Sequence, residues 1–240
     1  SRPRHASKRN ISTLISATPN TSKLAKSIWG KDSHVISEVG FQINNKINYN
    51  KRLSNEPLKI VWSGRHIPRK NLPLLLMSLT KVNFEFELHI LGDGELNNNW
   101  KRRAKELKLD VNCIWHGWVD KTVTNEVYTS AHVLCITSIS DLTSTVTLEA
   151  LSNGLPIICL DHFGFSHVVN ECCGIKIDVS SPYKASVDFS KALEKIYKDE
   201  NLRQSLSQGA VQRAKDFSWE SKIKSLNTIY NDLLEINCET

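Results

Sequence analysis

Residues 138–151 read Ser-Ile-Ser-Asp-Leu-Thr-Ser-Thr-Val-Thr-Leu-Glu-Ala-Leu, and the way this stretch is read decides the fold. Just before it runs Val133-Leu134-Cys135-Ile136-Thr137, an apolar, β-branched segment of the kind that forms a buried strand. Within and after it, Val146, Leu148, Ala150 and Leu151 sit among good helix formers, and Gly154 followed by Pro156 supplies a helix stop. A strand therefore ends, the chain turns through small hydroxylated residues, and a helix begins. The backbone amides at that start, in the segment Thr143, Ser144, Thr145 and Val146, carry partial positive charge and suit a phosphate or a sugar hydroxyl. Asp141 lies in the turn and Glu149 eight positions later in the second helical turn, so two acids bracket an anion-binding helix start. Simple capping also accounts for this stretch taken alone: Thr143 or Ser144 would cap the helix and Asp141 would complement its dipole.

Composition narrows the setting. With 240 residues, 40% hydrophobic and 23% charged, the chain can bury a full core without covalent staples. The net charge of +6 favours anionic partners, but outside the first ten positions the basic residues are scattered. A phosphate-bearing small ligand or peripheral contact with an anionic membrane surface fits this charge as well as nucleic acid does. No aromatic-plus-basic module for RNA or DNA is present. Cys113, Cys135 and Cys159 lie in or beside apolar runs, where cysteine behaves as a small hydrophobe. The vicinal pair Cys172-Cys173 has no CxxC partner, and the sixth cysteine is Cys238. This usage reads as a reducing, cytoplasmic compartment, and no apolar run is long enough to span a membrane.

Along the chain, residues 1–10 are basic and expected to be mobile. Residues 11–18 read as a strand, 22–29 as a short helix and 34–41 as a second strand, while the Asn- and Lys-rich stretch 42–57 reads as a linker. A regular alternation follows. Strands are expected at 58–63, 87–92, 112–115, 133–137, 155–160 and 174–177. Helices fall at 71–82, 98–107 and 122–131, then at 183–198, 201–217 and 219–236. Strands alternating with helices of this length make βαβ units, so the fold class is α/β, a Rossmann-like parallel sheet with helices on both faces.

Two further turns sit at strand ends. Residues 64–71, Gly-Arg-His-Ile-Pro-Arg-Lys-Asn, leave the first strand of the series. Gly64 permits a tight exit, and Arg65 and Lys70 are the charges that suit a diphosphate; a solvated basic loop is the plainer alternative. Residues 91–95, Leu-Gly-Asp-Gly-Glu, carry two glycines but lack the third of the dinucleotide fingerprint and follow the second strand rather than the first. A nicotinamide-dependent dehydrogenase is therefore disfavoured.

Taken in order, Gly64-Arg65 with Lys70, Gly92-Asp93-Gly94-Glu95, His116-Gly117-Trp118-Val119, Ala131-His132-Val133, Ser138 with Asp141-x7-Glu149, Gly154-Leu155-Pro156 and Phe217-Ser218-Trp219-Glu220 form a recognisable set. The set resembles the donor-binding C-terminal domain of a GT-B glycosyltransferase of family 4, the retaining group, over residues 57–236. The resemblance implies that Glu149 holds the ribose of a nucleoside-diphosphate sugar. It implies that Asp141 contacts the donor hexose from the place where the family usually has Glu. Arg65 and Lys70 would neutralise the diphosphate, the amides near Ser144, Thr145 and Val146 would serve the same phosphates, and Trp118 and Val119 would seat the base. Ser144 stands where the family usually has glycine. No metal or other cofactor is required by that arrangement.

The expected division is then residues 1–56, a remnant of an N-terminal acceptor domain plus linker, and residues 57–240, the nucleotide-sugar-binding domain. As a fragment of a longer enzyme, the chain would bind donor yet transfer almost nothing unaided, its glycan or lipid-linked acceptor needing the other domain. The alternatives are a non-catalytic nucleotide-sugar-binding module and a basic Rossmann protein that binds nucleic acid.

Overall fold

The structure is a computed structural model that describes residues 11–41, 50–53, 55–141 and 144–238, with side chains through residue 234. A short opening unit comprises β1 (Ile15–Ser16), α1 (Pro19–Trp29) and β2 (His34–Val35). The main body follows as β3 (Leu58–Ser63), α2 (Leu72–Leu79), β4 (Phe86–Leu91), α3 (Asn97–Glu106), β5 (Cys113–Gly117), α4 (Lys121–Ser130), β6 (Val133–Ile136), α5 (Thr145–Ser152), β7 (Ile157–Leu160), α6 (Phe163–Val168) and β8 (Gly174–Ile177). Three long helices close it, α7 (Pro182–Lys198), α8 (Glu200–Lys215) and α9 (Trp219–Cys238).

All six strands of the main sheet are parallel, in the order β5-β4-β3-β6-β7-β8. The central strands β6 and β7 are buried at every position, which is why they read as unbroken apolar runs. One face packs Leu58, Ile60 and Trp62 against Leu72, Leu75 and Leu79 of α2, Trp100 of α3 and Phe189 and Leu193 of α7. The other packs Val61, Leu134 and Ile136 against Tyr128 of α4, Leu148 and Leu151 of α5, and Ala210 of α8. Helices thus cover both faces, as the alternation of strand and helix requires.

The order reverses between β3 and β6. From β3 the chain moves one way to β4 and β5; from β6 it moves the other way to β7 and β8. The turns leaving β3 and β6 therefore face each other across the crevice where open α/β sheets bind ligands.

Some sequence expectations change in three dimensions. The helix α6 is six residues long, too short for an apolar period to register, and was not anticipated. The strands expected over 11–18 and 34–41 shrink to two residues each, and α1 between them buries none of its side chains. Residues 42–49 and 54 of the expected linker lie outside the described residues. The rest of it is fastened down. Arg52 is buried, donates to the carbonyls of Leu53 (3.1 Å), Glu56 (3.0 Å) and Tyr197 (2.6 Å), and stacks over the Tyr197 ring at 4.4 Å. Its polarity reflects this internal wiring as much as contact with water. Residues 39–41 dock on the start of α9, where the Trp219 amide donates to the Phe41 carbonyl at 3.1 Å.

His132, fully buried at the entry to β6, joins the two central strands: its Nδ1 accepts the Lys59 amide at 2.9 Å, and its own amide donates to the Lys59 carbonyl at 2.9 Å. Burial, and then the nearby Arg203 cation, push this imidazole down to about 4. Its folded pKa is depressed, so the unfolded chain takes up a proton between pH 6.5 and about 4 that the native state refuses. The stability contribution is intact above that window and drains away as pH falls through it, on the order of 3 kcal/mol in all. Urea melts at about pH 7 and about pH 4.5 should show His132→Asn losing less stability on acidification than the parent. Equal losses would remove His132 from the acid response.

Candidate functional site

The crevice at the strand reversal is built from the turns after β3 and β6. After β3, Pro68 opens a single 3-10 turn, Pro68–Lys70, and Asn71 takes the left-handed conformation that launches α2. After β6, Ser138 is buried and the chain runs to Ser144, the first flanking residue of α5. The turns are fastened to each other. The Ile139 amide donates to the Arg69 carbonyl (2.8 Å), Arg69 Nη1 donates to the Ser140 carbonyl (2.9 Å), and the Thr137 hydroxyl donates to the Lys70 carbonyl (2.9 Å).

Lys70 and Asp141, singled out separately in sequence, meet here. Lys70 Nζ lies 2.5 Å from Asp141 Oδ2, and Arg69 Nη1 lies 3.3 Å from the same oxygen. Lys70 and Asp141 are mostly shielded from solvent, with 12% and 17% of their side chains exposed. Arg69 was not anticipated as a site residue; only its place two residues from the turn's end hinted at it. Arg65 projects outward and makes no ion pair with the described residues.

The glycine expectation is corrected. Gly64 has no positive φ, and a Cβ there would meet Lys70 and Trp62 at an ordinary 3.5 Å. The tight position is Gly92, at φ +108°, where a Cβ would come within 2.1 Å of the Gly64 carbonyl oxygen. Gly94, at φ +157°, is also tight, with a Cβ there meeting the His66 carbonyl oxygen at 2.8 Å. The pair that resembles a weak dinucleotide fingerprint is there to let the turn after β4 lie directly against the turn after β3.

At the start of α5, Ser144 is buried and its side chain makes no capping hydrogen bond, while Thr145 is exposed. Capping by Ser144 is therefore not what this turn does. Thr143 lies outside the described residues. Thr145 and Glu149 face a cavity of about 1090 Å³ between α4, α5 and α9, lined also by Lys121, Asn125, Asn153 and Trp219. Burial raises the Glu149 carboxyl above its ordinary value, with Lys121 opposing the shift. At the end of β5, Gly117 turns with φ 67°; Trp118 then stands 83% exposed and Val119 tucks against the second core. Thus the structure joins Lys70 to Asp141, and Thr145 and Val146 to Glu149 on one helix, whereas Arg65 and Trp118 stand out from the surface.

The comparison that decides the family is a match to the model described as Glycosyl transferases group 1, over residues 44–213. The chain belongs to this family. An uncharacterized glycosyltransferase of Methanocaldococcus jannaschii is 20% identical over 205 residues, covering 83% of this chain and 52% of that protein. A lipopolysaccharide 1,6-galactosyltransferase of Salmonella typhimurium is 30% identical over 111 residues, covering 45% and 31%. Among solved structures, the lipopolysaccharide outer core galactosyltransferase WaaB in its apo form superposes with a TM-score of 0.79 at 20% identity, over 92% of this chain and 62% of that one. Anabaena HepE in complex with UDP gives 0.74 at 16% identity, over 94% and 65%. This group 1 chain therefore has the fold of half a GT-B enzyme, and it spans about half the length of the first of these relatives.

No helix among the described residues is long and apolar enough to cross a membrane, and no group of three or more His, Cys, Asp or Glu among them could hold a metal ion. The described cysteines are free, with Cys135 and Cys159 buried; burial pushes the half-buried Cys113 thiol up to about 12. Cys113, Cys135 and Cys159 are thus inert packing groups, whereas Cys172 is exposed.

Proposed function

We propose that this chain is the donor half of a retaining glycosyltransferase that binds a UDP- or GDP-hexose for transfer to a glycan or lipid-linked acceptor. The observation that carries the reading is the meeting of Lys70, Arg69 and Asp141 at the strand reversal, beside a helix start that its own flanking serine does not cap. A diphosphate placed there would meet an ammonium, a guanidinium and the amides of Thr145 and Val146. These groups would stabilise the negative charge that grows on the departing nucleoside diphosphate. Arg65 lies on the same turn with its side chain free to swing in. Glu149, in its cavity, would take the ribose hydroxyls; Trp118 and Val119, just past the end of β5, would flank the base. Asp141 would exchange part of its ion pair for the hexose hydroxyls. The UDP held by a structural neighbour supports the nucleotide class. The acceptor would be held by a second domain, of which residues 1–56 would supply the final βαβ unit and the connection. A nucleic-acid-binding role has no comparable support, since the sequence carries no aromatic-plus-basic module for RNA or DNA.

The two acids make the division of labour testable. In calorimetric titrations, Glu149→Gln should weaken UDP and UDP-sugar alike, whereas Asp141→Asn should spare free UDP and weaken only the sugar donor. The raised Glu149 carboxyl adds a sign. The folded carboxyl ionises later than the unfolded one, so its stability contribution is whole in acid and is lost as pH rises through the folded value; Glu149→Gln should therefore raise Tm at neutral pH, and the gain should vanish in acid. Identical ligand profiles for the two variants would contradict the assignment.

A further inference from the structure

We infer that Thr137 positions the diphosphate-binding lysine through a buried hydroxyl relay that starts at Trp62. This rests on the reading of Lys70 given above and extends it to two residues that touch no ligand. Thr137 is wholly buried one residue past β6. Its hydroxyl accepts from Trp62 Nε1 at 3.0 Å and donates to the Lys70 carbonyl at 2.9 Å, so one oxygen ties β3 to the turn that leaves it. Trp62 is itself held: Trp100 meets it edge-on at 5.5 Å, and the buried His66 ring lies 5.6 Å away. Displacing either the Trp62 indole or the Lys70 carbonyl opens a hydrogen bond to the one buried hydroxyl they share, which makes the relay a support for the lysine side chain.

The Lys70 side chain then has little freedom. Its methylenes pass over Gly64, with Cδ 3.5 Å from where a Cβ would be, and its ammonium ends on Asp141. The Ile139 amide on the Arg69 carbonyl gives the turn a second anchor one residue earlier. A free lysine must give up rotamer entropy to grip a phosphate, and a held one has already done so. Thr137 is thus a positioning residue: it sets where the cation stands and contributes nothing to the ligand directly.

Thr137→Val keeps the shape and removes the hydroxyl, while Thr137→Ser keeps the hydroxyl. The probe is UDP, or GDP if only GDP binds the parent, followed by calorimetry, with folding checked by circular dichroism. Thr137→Val should weaken binding by about three- to tenfold, the range one lost hydrogen bond gives, and Thr137→Ser should bind within about twofold of the parent. In a Lys70→Ala background, Thr137→Val should add almost nothing, because the support has nothing left to hold. A folded Thr137→Val that binds like the parent, or whose loss adds in full to that of Lys70→Ala, overturns the relay while leaving the lysine's role intact. Lys70→Ala that binds like the parent overturns the lysine reading and the relay together. Should Thr137→Val not fold, Trp62→Phe removes the donor that fixes the hydroxyl; it should weaken binding in the parent and not in Lys70→Ala, and the opposite pattern overturns the relay.

Discussion

Lys70→Ala is expected to lower the affinity of this chain for its nucleoside diphosphate by roughly ten- to a hundredfold, the loss of a charge-assisted contact worth about 1.5–3 kcal/mol. Thermal stability should hardly change. Lys70 shares Asp141 with Arg69, so removing the lysine leaves the carboxylate one cationic partner. The pair is mostly shielded, so what would cost stability is a stranded carboxylate, and Arg69 at 3.3 Å keeps Asp141 from being one. Binding is different, because there the ammonium would meet a diphosphate in a crevice with a helix start on the opposite side. Arg65→Ala should weaken binding in the same direction but less, since that side chain extends into solvent and must be ordered first. The measurement is a titration of both variants alongside thermal melts. Unchanged affinity in both would leave the turn after β3 as a structural feature only.

Gly92→Ala should be the most damaging single methyl in the site region. It would demand φ +108° of a residue with a side chain and drive a Cβ to 2.1 Å from the Gly64 carbonyl oxygen, backbone against backbone. Strain and overpacking together should cost roughly 2–5 kcal/mol. For a domain of this size that is a fall in Tm of about 10 °C. Whatever remains folded must have pushed residues 64–66 aside, and nucleotide affinity should fall with it. Gly64→Ala is the control: its new methyl would sit at an ordinary 3.5 Å from Lys70 and Trp62, and stability should change by less than about 1 kcal/mol. Differential scanning calorimetry separates the two. Equal effects would mean that the turns after β3 and β4 do not press on each other as described.

That contrast bears on what the sequence could and could not reveal. The strand Leu58–Ser63 falls where the apolar pattern put it, because a central strand covered on both faces has little alternative composition; the edge strand Gly174–Ile177, half-buried at Ile175 and Lys176, also falls where it was expected. The turn from β6 into α5 was legible for the same reason: a buried strand, small residues and a helix stop are local signals. Gly64 and Gly92 were harder. Both follow strands, and only the packing of one turn on the other reveals which glycine is indispensable. Thr137 and Trp62 were invisible as site residues, since their bond joins positions 75 apart and each looks like ordinary core. Arg69 was hidden next to Lys70, and only the three-dimensional turn brings both cations to one carboxylate. The helix α6 escaped because six residues make fewer than two turns.

The central claim is that this half of a group 1 transferase is organised to hold a nucleoside diphosphate and its sugar. Calorimetric titration of the 240-residue chain with UDP, GDP and their hexoses tests it most directly. The account predicts saturable one-to-one binding of one of the two nucleotides, with its hexose form bound at least as well and Lys70→Ala impaired. No binding of either nucleotide or its sugars at millimolar concentration, with salt-sensitive binding of RNA or DNA instead, would contradict it.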